Sequence, residues 1–147
     1  MTSPSMNWIA TRQTPPNMQV LPIGIAAFEG EQSFAIPGNE TLGNFSCKEG
    51  SGNSVMFKLK KYDSILAMLE LHHVDVLKLD VEGAEYDVTS SILSSSTIPV
   101  QLVIEFHHRI HNIQSTDTRR SAATINQAGF SLFAVSSSGQ ELSFIRN

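Results

Sequence analysis

Apolar and polar positions in this chain follow two rhythms, and they change places several times. "MQVLPIGIAAF", from Met18, is an apolar run with β-branched residues and predicts a buried strand. After the Glu29-Gly30 turn, "QSFAIP" predicts a short companion strand. Residues 1–17 carry Pro4, Pro15 and Pro16 and read as an irregular leader. Residues 37–53 have no period and read as a loop long enough to suggest a role. "DSILAMLELHH" then spaces Ile65, Leu66, Met68 and Leu69 as a helix does, with Asp63 or Ser64 as N-cap.

"VDVLKL" predicts a strand buried on both faces, and "AEYDVTSSIL" a helix with Tyr86 and Leu93 turned to the sheet. "VQLVIEF" is a second buried strand. "TDTRRSAATINQAG" is a helix capped by Thr116 or Asp117 and stopped at Gly129. "FSLFAVSS" and "ELSFI", joined around Gly139, predict a terminal hairpin. The order implies an α/β domain with a mostly parallel sheet closed by an antiparallel β-hairpin.

Composition narrows the function classes. A chain of 147 residues with 41% hydrophobic and 16% charged residues is a folded domain. A net charge of −4 argues against nucleic acid or an anionic membrane as partner, and Arg119-Arg120 makes no basic patch. The single cysteine, Cys47, allows no internal disulfide. The N-terminus lacks the basic start and apolar stretch of a signal peptide, and no apolar run approaches a membrane span. The N-x-[ST] triplets at Asn39 and Asn44 are therefore read as chance matches, and a cytoplasmic location is expected.

The candidate chemistry lies in residues 75–88, where five acids fall within fourteen positions around the end of an apolar run. Ligands of open parallel sheets sit beyond the carboxyl ends of the strands, where Asp80 falls. Gly83 permits a tight turn there, and Glu82 lies within it. Glu85 stands in the first helical turn, where the helix dipole alone accounts for an acid. In "VIEFHHR", strand alternation puts Glu105 and His107 on one face. Adjacent strands bring Asp80, Glu82, Glu105 and His107 to one rim, as base, hydroxyl-orienting groups or metal ligands. The plainer reading of His107 and His108 is a surface or hydrogen-bonded core pair. His72 and His73 read as compensation for a helix end.

"VDVLKLDVEGAEYDV" resembles the signature of the FkbM-type S-adenosylmethionine-dependent methyltransferases, in which a strand ends in K-[IL]-D-[VIM]-E-G-x-E. "QLVIEFHHR" is similar to that family's next strand, "AGFSLFAVSSSGQELSFI" to its closing hairpin, and "VLPIGIAAFEGEQSFAIP" to an earlier strand. The likeness covers residues 18–147, as the C-terminal part of a Rossmann-like methyltransferase domain. It implies S-adenosylmethionine as cofactor and methyl transfer to a hydroxyl of a small molecule or glycan. It places Asp80 and Glu82 where donor and acceptor meet and Glu105 and His107 on the acceptor side. Asp80 or His107 would then be the catalytic proton acceptor, with Glu82 and Glu105 binding substrate and Lys78 structural.

The family's opening strand and glycine-rich cofactor turn have no counterpart in the sequence. Gly50 and Gly52 lack both a third glycine, position 55 being valine, and a strand leading in. A truncated enzyme is expected, or alternatively a non-catalytic binding module, with an open sheet edge that a homodimer would cover. The four-residue spacing of His107 and His111 raises a metal hydrolase but lacks the glutamate of the zinc-protease pattern. No metal site is predicted, although Mg²⁺ or Ca²⁺ at Asp80 and Glu105 would be chemically compatible.

Overall fold

The structure, a computed structural model, describes residues 15–35, 54–108 and 113–147. The predicted loop 37–53, most of the leader and His111 lie outside the described residues. The chain divides into two compact units.

The first comprises residues up to 24 and 30–59. Its sheet runs in the order β1–β3–β2, from β1 (Ile23–Ile25), β2 (Gly30–Ala35) and β3 (Ser54–Lys60). β2 and β3 are antiparallel, with Gln32 opposite Phe57 and Phe34 opposite Val55. The Phe34 and Phe57 rings meet edge to face, centroids 5.5 Å apart, an aromatic contact of about 0.5–1.5 kcal/mol beyond burial. Gly24 lies close under Leu59: a Cβ there would fall 2.7 Å from Leu59 Cδ2, and that side-chain end would have to shift. The long strand predicted from Met18 shrinks to three residues. β3 is an addition, although its Val55, Phe57 and Leu59 alternate with more exposed residues.

The second unit comprises residues 25–29 and 60–147. Its elements are α1 (Tyr62–Met68), β4 (Val76–Leu79), α2 (Glu85–Leu93), β5 (Gln101–Glu105), α3 (Ser115–Gln127), β6 (Phe130–Val135) and β7 (Glu141–Arg146). The four-stranded sheet has the order β4–β5–β7–β6. Only β4/β5 is a parallel pairing; β5/β7 and β7/β6 are antiparallel. The sheet is therefore mixed, in place of the mostly parallel one expected. β4, β5 and β6 share one direction, and the reversed β7 is inserted between β5 and β6. The predicted terminal hairpin is β6–β7.

Side-chain alternation assigns one face of this sheet to the core. Leu79, Ile104 and Leu142 form one row across β4, β5 and β7, and Leu77, Leu102 and Phe144 the next. Against them pack Val88 and Ile92 of α2, Ile125 of α3, Tyr62 and Leu66 of α1, with Phe106 and Phe130. Val76 and Lys78 of β4 are exposed, so this strand is not buried on both faces. An apolar run implies two-sided burial only where both faces are covered, and among the described residues the face of Val76 is open, with Ile145 of β7 exposed in the same row.

The helix starts also differ from expectation. α1 is preceded by Lys61 as N-cap, and the Lys61 N–H donates to Glu29 Oε1 at 2.9 Å. Asp63 instead accepts a hydrogen bond from Ser95 Oγ, joining the start of α1 to the end of α2. α3 begins after Gln114, whose N–H donates to the Asp117 carboxylate at 2.9 Å. The helix stops where predicted, with Gly129 at φ 93°.

Tyr62 carries one anomaly. Its hydroxyl is buried without a hydrogen-bond partner among the described residues, and burial, reinforced by the Asp63 charge, pushes its pKa up to about 12. Tyr62→Phe should therefore gain about 1 kcal/mol, by removing an unsatisfied hydroxyl. The folded-state pKa lies above the ordinary 10, so the wild type keeps the proton-linked part of its stability below pH 10. It loses that part as pH rises through 12, whereas the phenylalanine variant does not. Urea melts near neutrality and at about pH 11 would show the gap between the two widening.

Candidate active site

The turn after β4 is built by backbone geometry that its sequence dictates. Glu82 takes φ 50° and Gly83 φ 107°, so the chain reverses tightly between Asp80 and the start of α2. Gly83 meets that demand at no steric cost, and Glu82 bears one left-handed conformation. The N–H groups exposed by the turn then need acceptors, and Glu85 supplies them. Its Oε1 accepts from Val81 N at 3.0 Å and Gly83 N at 3.1 Å, and Oε2 also accepts from Gly83 N at 3.1 Å.

Glu85 is 0% exposed, and its remaining contact explains why a carboxylate is kept there. His107 Nδ1 lies 2.8 Å from Glu85 Oε1. An ionised carboxylate can only accept, so Nδ1 is the donor. The imidazole is thereby fixed in tautomer and orientation, with Nε2 directed at the turn. Glu82 Oε2 stands 3.6 Å from Nε2 and Asp80 Oδ1 3.8 Å from it. Asp80 is the most open of the three and His107 is buried.

The electrostatics follow from this packing. Burial pushes the His107 imidazole down, but the hydrogen bond and charge of Glu85, with the charges of Glu82 and Asp80, outweigh it. The net pKa is raised above the ordinary histidine value. Among the described residues no lysine or arginine pairs with Asp80, Glu82 or Glu85, so three carboxylates face one imidazole.

Asp80, Glu82 and His107 thus converge. Glu105 does not join them: it ends β5 opposite Glu141 and makes no ion pair with the group. The alternation that aligned Glu105 with His107 fails because β5 stops at Glu105, and Phe106 and His107 are then both buried. Glu85 is the residue whose part was underestimated from sequence. The signal for it was present, since a carboxylate two residues beyond a strand-ending E-G turn is placed to accept the turn's N–H groups.

A hydrogen-bonded chain flanks the site. Tyr86 Oη lies 3.0 Å from Thr118 Oγ1, which lies 3.2 Å from His108 Nδ1. Tyr86 also packs on Phe106, centroids 5.2 Å apart. His108 is thus a bonded neighbour on the α3 side, in keeping with the plainer reading of that residue. His73 pairs instead with Asp75 at 3.0 Å, in the open. Among the described residues no helix is long and apolar enough to cross a membrane.

No curated protein and no solved structure shows a significant match to this chain. A family model, the methyltransferase FkbM domain, matches residues 15–132. That span runs through the E-G turn, β5, α3 and the start of β6, and it takes in every residue of the rim. The chain belongs to the FkbM methyltransferase domain family.

Proposed function

We propose that this chain transfers a methyl group from S-adenosylmethionine to a hydroxyl of a small molecule or glycan, at the rim formed by Asp80, Glu82 and His107. The observation that carries the reading is the clamp on His107, which fixes Nε2 toward two carboxylates at the carboxyl end of β4. Family membership supports the reaction class, and the strand-end position agrees with where ligands bind to such sheets. In the same reading, β4, β5, β7 and β6 are the C-terminal side of a Rossmann-like methyltransferase sheet.

The donor set suits the reacting end of the cofactor, because a sulfonium is cationic and the rim is rich in carboxylates. No described residue is assigned to its adenosine or amino-acid ends. When bound, S-adenosylmethionine supplies an electrophilic methyl group. Everything else falls to the protein: Glu82 orients the acceptor hydroxyl, and Asp80, the most accessible of the three, accepts its proton. His107 positions the carboxylates by facing both, and Glu85 holds His107.

The test is calorimetric titration of the chain with S-adenosylmethionine and its demethylated product, with labelled-methyl transfer to a panel of polyhydroxylated compounds and oligosaccharides. Saturable binding and transfer to a hydroxyl are expected. A folded chain that neither binds nor transfers would leave the non-catalytic binding module as the better description.

A further inference from the structure

The rim has the composition and spacing of a cation site, where the sequence predicted none. We infer that Asp80, Glu82 and His107 bind a first-row divalent metal ion. One ligand atom from each lies within 4.8 Å of the other two. Nε2 is 3.6 Å from the glutamate oxygen and 3.8 Å from the aspartate oxygen. Donors bound at about 2.1 Å around one ion stand about 3.0–3.4 Å apart, so the two imidazole–carboxylate separations need to shorten by less than about an ångström, and the partly exposed Asp80 and Glu82 side chains have the freedom to close on an ion.

A cluster of acids alone would not carry this. The second observation is His107 itself, 8% exposed, with Nε2 aimed into the cluster and without a hydrogen-bond partner among the described residues. Its other nitrogen donates to the fully buried Glu85 carboxylate at 2.8 Å. That carboxylate–imidazole pair is the arrangement that orients metal-ligating histidines and raises their donor strength. Glu85 is in turn held by the Val81 and Gly83 N–H groups, so it is a fixed acceptor and the imidazole cannot turn away without giving up this hydrogen bond.

Charge and access agree with the geometry. The carboxylates exceed the imidazole in charge, and the Asp80 and Glu82 side chains are 45% and 33% exposed. An ion entering from that side would keep open coordination positions toward solvent. One nitrogen with two carboxylates favours Mn²⁺, Fe²⁺, Co²⁺ or Zn²⁺ over Mg²⁺ or Ca²⁺, which prefer all-oxygen shells. The site stands on these residues whether or not the chain transfers methyl groups. With an ion in place, the second carboxylate oxygen of Asp80 can still take a proton from an acceptor hydroxyl.

The experiment is a titration of chelator-stripped chain with MnCl₂, reading free Mn²⁺ by its electron paramagnetic resonance signal. One saturable site is expected. Asp80→Asn and Glu82→Gln should each weaken it by at least about tenfold, a loss in line with disrupted metal shells. Asp75→Asn, in the exposed His73 pair, should leave it unchanged. Both rim side chains are partly exposed, so these variants should fold, which circular dichroism checks. Failure of the folded wild-type chain to take up Mn²⁺ at millimolar concentration would overturn the inference. So would uptake indifferent to both rim substitutions.

Discussion

Glu85→Ala is expected to destabilise the second unit by about 3–5 kcal/mol, the range for removing one partner of a buried charged pair. The substitution leaves the part-buried Val81 N and Gly83 N and the buried His107 Nδ1 without their acceptor. Each orphaned buried donor costs about 1–3 kcal/mol, and these three share one small region. Against a typical total of about 5–15 kcal/mol, such a variant would be marginal. Glu85→Gln separates charge from shape. Its carbonyl can take the place of Oε1 and serve donors there, but its NH₂ then confronts the Gly83 N–H and the charge opposite His107 is gone, so part of the loss should remain. Urea denaturation of both variants checks the ordering, and wild-type stability in Glu85→Gln would remove the clamp from the account.

Asp80→Asn is expected to lower turnover by about 10²–10⁴-fold, the usual contribution of a positioned proton acceptor. The fold should survive, because Asp80 lies past the end of β4 with its side chain 45% exposed. The loss should appear in kcat more than in KM if the carboxylate acts as the acceptor oxygen attacks. Titration of cofactor into the same variant should show a smaller loss of affinity than of turnover, since one rim charge facing the sulfonium is removed but no contact to adenosine is assigned to Asp80. A variant that binds the cofactor and turns over normally would move the proton-accepting role elsewhere on the rim.

The second half of the chain was legible because its elements are local. The Asp80 to Glu85 segment announces a strand end, a left-handed turn and a helix start in six residues, and the structure contains each. The terminal hairpin was readable for the same reason. What escaped depended on partners distant in sequence. The N-cap region of α1 is served by Glu29, 32 residues before Lys61, so its own Asp63 and Ser64 misled. The exposure of Val76 reflects a sheet face left open among the described residues, where Ile145 of the internal β7 is exposed too, and no property of "VDVLKL" encodes that. β3 is the exception: its alternation was in plain view and outranked only by the turn-rich stretch before it.

At the site, residue types were legible and their division of labour was not. Asp80, Glu82 and His107 could be picked from strand ends. Glu105 could not be separated from them, because period-two reasoning stops with the strand. The importance of Glu85 comes from three donors converging on one carboxylate, and two of them are backbone groups. A sequence shows acids but not the N–H groups that a turn will expose.

The insertion of β7 between β5 and β6 has a consequence for synthesis. Gln101 pairs with Ile145 and Phe130 with Arg146, so β5 and β6 have no common neighbour until the hairpin is complete. A chain emerging from the ribosome at about 5–20 residues per second would present β4 and β5 well before their missing central partner. During that interval the row of Leu77, Leu102 and the later place of Phe144 stands open beside an unpaired edge. Folding of this unit is thus completed only after β7 has left the exit tunnel, and the nascent half-sheet is the stage at which a chaperone has most to cover.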